Sequence, residues 1–204
     1  MKSALPLVLL LLFLACAFVW LTWRTRRLTG KNPYVLPDGD DVAGYVGKGF
    51  RVAVAGSVVA MTLAAFPQGA VWLGPIGVTG EPWLYYAGFI LSLAALTWTV
   101  IAQYQMGRSW RIGIDATDPP ALVEGGLFAF SRNPIFLGMR VALVGILLMV
   151  PGAVVLAIVV AAEIFMQVQV RLEEAYLARV HAQAYARYQA RTTRWLGRRI
   201  LENR

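Results

Sequence analysis

Long apolar segments separated by short polar connections dominate the pattern of this chain. A helix needs about 20 apolar residues to cross the roughly 30 Å hydrocarbon core of a membrane. Segments that approach or reach this length lie near residues 4–23, 48–66, 83–106, 134–150 and 153–170. The pattern therefore predicts an all-α integral membrane protein with five transmembrane helices.

The C-terminal half carries three further features of the pattern. Pro151-Gly152 is a turn signal between the last two spans, which are predicted to form an antiparallel helical hairpin. Residues 173–194 are typical of an amphipathic tail helix lying at the membrane surface, and residues 122–130 are apolar but too short to cross. We divide the chain into three scaffold helices, 1–106, and a functional core, 107–204.

The first span has two interpretations. Lys2, the apolar run and the Ala15-Cys16-Ala17 triplet resemble a cleavable secretory signal. The run continues past the triplet to Trp23 and then meets arginines at positions 24, 26 and 27. That length and that basic flank favour an uncleaved membrane anchor.

Composition and charge agree with a membrane location. Of the residues, 58% are hydrophobic and 15% charged, and the mean hydropathy is +0.60. The net charge of +8 comes from basic residues that flank the apolar spans, which indicates topology and attraction to anionic lipids rather than nucleic-acid binding. Counting the basic residues on each side of the predicted spans places the N-terminus outside and the C-terminus in the cytoplasm.

Cysteine and histidine usage restricts the possible chemistry. Cys16 is the only cysteine and His181 the only histidine. An internal disulfide is impossible, and a zinc site built from three or four such ligands cannot form, so we expect no metal. Carboxylates, arginines, hydroxyls, backbone groups or an organic cofactor must supply the reactivity.

Charged residues inside the last two spans need partners, because an isolated charge in a membrane is costly. Arg140 and Glu163 each lie about eleven residues from the Pro151-Gly152 turn, at the same depth of roughly 17 Å. We expect them to pair across the hairpin, either as an ion pair that fixes helix register or as part of a catalytic site. Glu163, Gln167, Arg171 and Glu174 are predicted to share one helical face.

The start of the fourth span is a second candidate site. Pro134 suits the first turn of a helix, and Asn133 is a plausible N-cap before it. Arg132 then lies near the positive end of the helix, where it is suited to contact an anion. The alternative is ordinary helix capping beside an arginine that extends to the membrane surface.

These motifs, taken in order, resemble a family of membrane enzymes. They are Leu122-Val123, Gly126-Leu127-Phe128, Arg132-Asn133-Pro134-Ile135-Phe136-Leu137-Gly138, and Arg171-Leu172-Glu173-Glu174 followed by Leu177, Tyr185 and Tyr188. Order and spacing over about the last hundred residues resemble the isoprenylcysteine carboxyl methyltransferase and phospholipid methyltransferase superfamily.

The resemblance implies S-adenosylmethionine (SAM) as cofactor, bound at the cytoplasmic face, and an amphiphilic, lipid-like or prenylated acceptor entering from the bilayer. By position, the cofactor-binding residues would be Pro120, Ala121, Leu122, Val123, Phe128, Arg132, Asn133, Pro134, Ile135, Phe136 and Glu173. Arg171 and Glu174 are the candidate catalytic residues. Gln169, Arg140 and Glu163 are candidates for substrate contact, Gln169 because an ungapped alignment puts it at the family's substrate-facing arginine.

Several positions depart from the family pattern. Asn133 stands where the family has histidine, and Phe128 and Phe136 stand where it has tyrosine. His181-Ala182 stands where the family has Phe-Gly. Two alternatives therefore stay open: an NADPH-dependent membrane reductase related to sterol reductases, and an inactive membrane scaffold. The expected reaction is methylation of a carboxylate or an amine.

Overall fold

The fold consists of helices long and apolar enough to cross a membrane. The computed structural model describes residues 4–35, 39–77, 81–113 and 119–197; Lys2 lies outside them. The helices are α1 (Leu5–Thr29), α2 (Val42–Ala64), the short α3 (Pro67–Trp72), α4 (Pro82–Met106), α5 (Pro134–Met149) and α6 (Ala153–Arg191). No strand occurs in the described ranges. Four helices meet the length for a span, and the apolar α5, with 16 residues, is about 24 Å long. The predicted all-α membrane architecture is confirmed.

Helices α1 and α2 are longer than the apolar pattern predicts. The first helix continues through its arginines to Thr29 and ends at Gly30, whose φ of 72° suits a glycine C-cap. The second begins at Val42 because the Asp41 side chain accepts a hydrogen bond from the Gly44 backbone N–H (2.7 Å). Lys48 therefore lies inside α2 rather than at its start, which corrects the predicted boundary.

A π-helical segment in α1 accepts a hydrogen bond from a side chain of α4. Residues Ala15–Trp20 form this wider turn within an otherwise α-helical span. A π-turn disturbs the regular ladder of backbone hydrogen bonds. The buried Gln103 side chain donates to the Ala17 carbonyl (2.9 Å), so a polar residue of α4 supplies a hydrogen bond inside the bundle.

Glycines allow α4 and α5 to approach closely. A Cβ added at Gly145 would lie 2.7 Å from the Gly88 carbonyl oxygen, and one added at Gly138 would lie 2.1 Å from Thr99 Oγ1. Small residues at such crossings let helix backbones pack tightly in membranes. This contact explains the glycine at the end of the Arg-Asn-Pro motif and fixes the start of α5 against α4.

The α5–α6 hairpin turns at Pro151-Gly152, as predicted. Its two helices also pack against different partners, α5 mainly against α4 and α6 against α2. An isolated bridge between Pro75 and Gly152 attaches the turn to the segment that follows α3. The hairpin is thus held at its turn and along both outer faces.

Helix α6 continues well beyond its apolar half. Residues 153–170 form the predicted fifth span, and the remainder extends to Arg191 with a break at Ala182, where φ is 34° and ψ is −105°. The predicted tail helix, 173–194, therefore contains this break: it begins before Ala182, and its helical part ends at Arg191. Its position relative to the membrane surface stays a prediction.

Candidate functional site

Glu174 lies at the centre of a buried polar cluster at the start of α5. Arg132 donates to Glu174 Oε1 from Nε (3.3 Å) and Nη2 (3.2 Å), and Asn133 Nδ2 donates to the same oxygen (3.1 Å). Arg194 donates to Oε2 from Nε (3.1 Å) and Nη2 (2.8 Å). We call Glu174, Arg132, Asn133 and Arg194 the tail clasp, because they join α5 and α6 to the chain after α6.

Backbone contacts extend the tail clasp. Arg132 Nη1 donates to the Thr192 carbonyl (2.6 Å), and Asn133 Nδ2 also reaches the Arg194 carbonyl (3.3 Å). Burial alone would raise the pKa of the Glu174 carboxyl, but the hydrogen bond from Arg194 and the charges of Arg132 and Arg194 hold it below its usual range. Glu174 is therefore an ionised, fully engaged carboxylate.

Asn133 does not cap α5 with its side chain. It occupies the N-cap position, but its amide makes no cap hydrogen bond and points to Glu174 instead. The predicted N-cap position of Asn133 is confirmed, but the side-chain hydrogen bond of a cap is not formed, because the amide is oriented by the donation from Nδ2 to the Glu174 carboxylate. Pro134 does begin the helix, as predicted, and its carbonyl accepts from Trp98 Nε1 (2.9 Å).

Glu173, the preceding residue, lies in a different environment. It is partly buried, beyond the apolar half of α6, and it accepts a hydrogen bond from Gln169 Nε2 (2.8 Å). Burial raises the pKa of Glu173 to about 7, and the Gln169 hydrogen bond only partly opposes this rise. Successive glutamates of one helix therefore have pKa values shifted in opposite directions.

A second polar group runs along α6 from Glu163, in its apolar half, to Arg171, and includes Arg140 of α5. Arg140 Nε and Glu163 Oε2 are 2.7 Å apart, which confirms the predicted pairing across the hairpin. Gln167 Nε2 donates to Glu163 Oε1 (2.6 Å), and Arg171 Nη1 donates to Gln167 Oε1 (2.8 Å). The shared face is thus confirmed for Glu163, Gln167 and Arg171, whereas Glu174 joins the tail clasp. We call Arg140, Glu163, Gln167 and Arg171 the polar ladder.

The chain after α6 also contacts the polar ladder. Trp195 lies against Arg140, with 4.2 Å between the guanidinium carbon and the ring centroid. The side chains of Arg140 and Glu163 are 30% and 34% exposed, so the ion pair is accessible from outside the bundle. The same C-terminal segment therefore contacts both the tail clasp and the polar ladder.

Four of the predicted cofactor-binding residues come together in one apolar cluster: Leu122, Val123, Phe128 and Ile135. Phe128 is buried against Ala102, Tyr185 and Tyr188, and partly buried neighbours complete the group: Leu122, Val123, Leu127, Ile135, Leu177 and Met106. The Tyr188 hydroxyl donates to the Phe128 carbonyl (2.6 Å). Leu177 is one helical turn after Glu173, so the cluster and the Glu173 carboxyl share one side of α6.

The segment before this cluster is held by the chain's only histidine. His181 Nε2 lies 2.9 Å from the Pro120 carbonyl oxygen, with the Nε2–H tautomer as donor. The next residue, Ala182, is the break in α6. His181-Ala182 thus supplies both the bend in the helix and the contact that positions Pro120 and Ala121.

Residues 83–184, half of the chain, match the family model described as phospholipid methyltransferase. The chain belongs to the phospholipid methyltransferase family. The match covers the helical core around Glu173 and Glu174, and it supports a membrane methyltransferase acting on lipid-like substrates. No curated protein and no solved structure matches the chain.

Within this family core, the two candidates for the substrate-facing position lie on different faces of α6. Gln169 is buried and bound to Glu173, whereas Arg171 is exposed and also donates from Nη1 to the Gln167 carbonyl (2.7 Å). Phe136 is partly buried in the first turn of α5.

Sequence reasoning missed several contacts of this site. Arg194 lies at the end of the predicted surface helix, but its guanidinium binds Glu174 in the tail clasp. Gln105 was not singled out, yet its Oε1 accepts from the Leu127 backbone N–H (2.8 Å) and holds the turn that carries Phe128. Neither pairing follows a helical repeat, because each joins residues from separate elements.

Proposed function

We propose that the protein transfers a methyl group from SAM to a lipid-like acceptor at the arginine-rich end of the bundle. The observation that carries this proposal is Glu173, a partly buried carboxyl with a pKa of about 7 beside the apolar cluster. Perturbed carboxyls in such positions are frequent at functional sites. Membership of the phospholipid methyltransferase family supports the same reaction class.

The residues around Glu173 fit such a cofactor. Within the described ranges, Glu173 accepts a hydrogen bond only from Gln169, to Oε1, which leaves Oε2 for the ammonium group of a ligand. Leu122, Val123 and Ile135 supply an apolar wall that excludes water. When bound, SAM supplies a methyl group attached to a positively charged sulfur.

We assign the acceptor to the polar ladder. Arg171 is exposed at the end of the apolar half of α6, where an amphiphile can present a polar headgroup while its chains stay in the bilayer. Arg140 and Glu163 extend this polar face into the membrane. Methyl transfer depends mainly on holding the two reactants in line. Because Arg171 and Glu173 point about 160° apart on α6, Arg171 can hold only a part of the acceptor that is remote from the reacting group.

We assign the tail clasp a positioning role. Both Glu174 oxygens accept hydrogen bonds from cationic or amide groups, and the Glu174 pKa is lowered. Arg132 is likewise buried, with its side chain 7% exposed. These groups keep the start of α5 against α6, and Glu173 is the neighbouring carboxyl that changes protonation near neutral pH.

Calorimetric titration of the detergent-purified protein with S-adenosylhomocysteine and with NADPH tests the proposal. We expect saturable binding of S-adenosylhomocysteine and none of NADPH. Binding of NADPH alone would support a reductase, and binding of neither nucleotide would contradict both enzymatic functions.

A further inference from the structure

Two side chains of α6 hold residues 120–124, the segment that leads into the apolar cluster. His181 Nε2 lies 2.9 Å from the Pro120 carbonyl oxygen, and Arg191 forms an ion pair with Glu124. His181 adjoins the break in α6, and Arg191 is the last residue of this helix. The segment is therefore attached to α6 at two points, one beside the break and one at the end of the helix.

The length of this segment matches the part of α6 that lies between its two attachments. Four residue steps of extended chain, from Pro120 to Glu124, span at most about 14 Å. The nine steps of helix from Ala182 to Arg191 rise about 14 Å. The two attachments therefore fit a segment that runs along the helix after the break.

Packing between the two attachments agrees with this course. Leu122 and Val123 pack against the cluster that contains Tyr185 and Tyr188 of the same helix. Within the described residues, the backbone of residues 120–124 makes no hydrogen bond to another backbone group. The position of the segment therefore depends on its apolar packing and on the two side chains that hold it.

The two attachments differ in what a substitution disturbs. His181 adjoins the break in α6, so its replacement also affects the bend of the helix. The ion pair of Glu124 and Arg191 is more exposed, since 32% and 56% of the two side chains are accessible. Both side chains lie outside the tail clasp and the polar ladder. A change at Arg191 therefore weakens the hold on the segment without replacing a residue proposed to bind the cofactor.

We propose that Arg191 is a positioning residue for the cofactor: through its ion pair with Glu124, it holds residues 120–123 in the conformation that binds SAM. This inference rests on the proposed function for the identity of the ligand. A protein that adopts its binding conformation only part of the time has an apparent affinity reduced by that fraction. Loss of the ion pair therefore weakens cofactor binding, although the cofactor is assigned to neither of these two side chains.

Calorimetric titration of the full-length protein with S-adenosylhomocysteine at two salt concentrations tests this role. We expect Arg191→Ala to weaken binding about three- to fivefold at low salt, the size of effect that an exposed ion pair can have. The difference from the wild type should largely disappear at about 1 M salt, where the ion pair is screened. Arg191→Lys keeps the positive charge and should restore most of the affinity. A loss that is the same at both salt concentrations would show a packing effect and overturn the role of the ion pair.

Thermolysin cleavage of the ligand-free protein measures the hold on the segment by itself, because a protease cuts a segment that opens. Cleavage before Leu122 or Val123, identified by mass spectrometry, should be faster in Arg191→Ala than in the wild type and in Arg191→Lys. Equal cleavage rates in all three proteins would overturn the proposed hold.

Arg179→Ala is the matched control, since it removes one exposed arginine of α6 before the break and should behave like the wild type in both measurements. Glu124→Gln removes the other charge of the pair, should weaken binding as much as Arg191→Ala, and takes its place if that variant does not fold. Equal S-adenosylhomocysteine affinity in the wild type and Arg191→Ala would overturn the positioning role and leave the proposed function intact. Failure of the wild type to bind S-adenosylhomocysteine would overturn the proposed function and, with it, the role of Arg191 toward the cofactor.

Discussion

Glu173 and Glu174 are neighbours on α6, but they face different regions of the protein. Successive residues of a helix point about 100° apart. Glu174 enters the tail clasp, where Arg132, Arg194 and Asn133 engage both of its oxygens. Glu173 faces the side of the apolar cluster and accepts a hydrogen bond from Gln169.

Their pKa values express this difference. Cationic partners keep Glu174 ionised, whereas burial without a cation raises the pKa of Glu173 to about 7. A carboxylate with complete partners stabilises the fold, and one with incomplete partners is available to a ligand. We therefore expect the paired glutamates of this chain to have separate tasks, which single substitutions can distinguish.

The largest effect is expected for Glu174→Gln. The change removes the negative charge between two arginines, and the buried Arg132 loses its only acidic partner among the described residues. Breaking a buried ion pair costs about 3–5 kcal/mol. The free energy of unfolding, measured with denaturant on the purified protein, should fall by this amount, and proteolysis after α6 should become faster. Glu163→Gln, at a more exposed pair, should lose clearly less; equal losses would contradict a special role for the tail clasp.

The next effect is a pH dependence of cofactor binding. Only the carboxylate form of Glu173 attracts an ammonium group, and that form is lost as pH falls through about 7. Affinity for S-adenosylhomocysteine should therefore fall about tenfold from pH 8 to pH 6, the change in ionised fraction for a group with this pKa. Calorimetry across this range measures it. Glu173→Gln should bind weakly at every pH, and a wild-type affinity independent of pH would contradict the role of Glu173.

The smallest expected change in stability concerns the break in α6, next to which His181 contacts the Pro120 carbonyl. Ala182 has a φ of 34°, which a residue with a Cβ adopts at a cost and glycine adopts freely. Ala182→Gly should stabilise the protein by about 1 kcal/mol. Ala178→Gly, in regular helix of the same segment, should destabilise it by about 1 kcal/mol. Equal destabilisation by both substitutions in thermal unfolding would show that the break is not formed.

Sequence patterns predicted the features that follow from the regular spacing of residues along helices. The five apolar segments, the Arg140–Glu163 pairing and the face shared by Glu163, Gln167 and Arg171 follow from helix geometry alone. Helix boundaries were less accurate where a cap such as Asp41 extended a helix beyond its apolar stretch.

Contacts between distant elements were not predictable in this way. Glu174 was placed on the polar face of α6, but its partners come from the start of α5 and from the segment after α6. The contact of His181 with Pro120 depends on a break at Ala182 that no helical pattern indicates. A pocket of about 290 Å³ likewise lies between the end of α1 and the turn after α4, which the sequence separates by about eighty residues.

The most direct test of the account is the affinity of Glu173→Gln for S-adenosylhomocysteine, measured together with its melting temperature. Loss of one carboxylate without loss of a structural ion pair should weaken binding at least tenfold and leave the melting temperature near that of the wild type. Wild-type affinity in this variant would contradict the assignment of Glu173 to the cofactor.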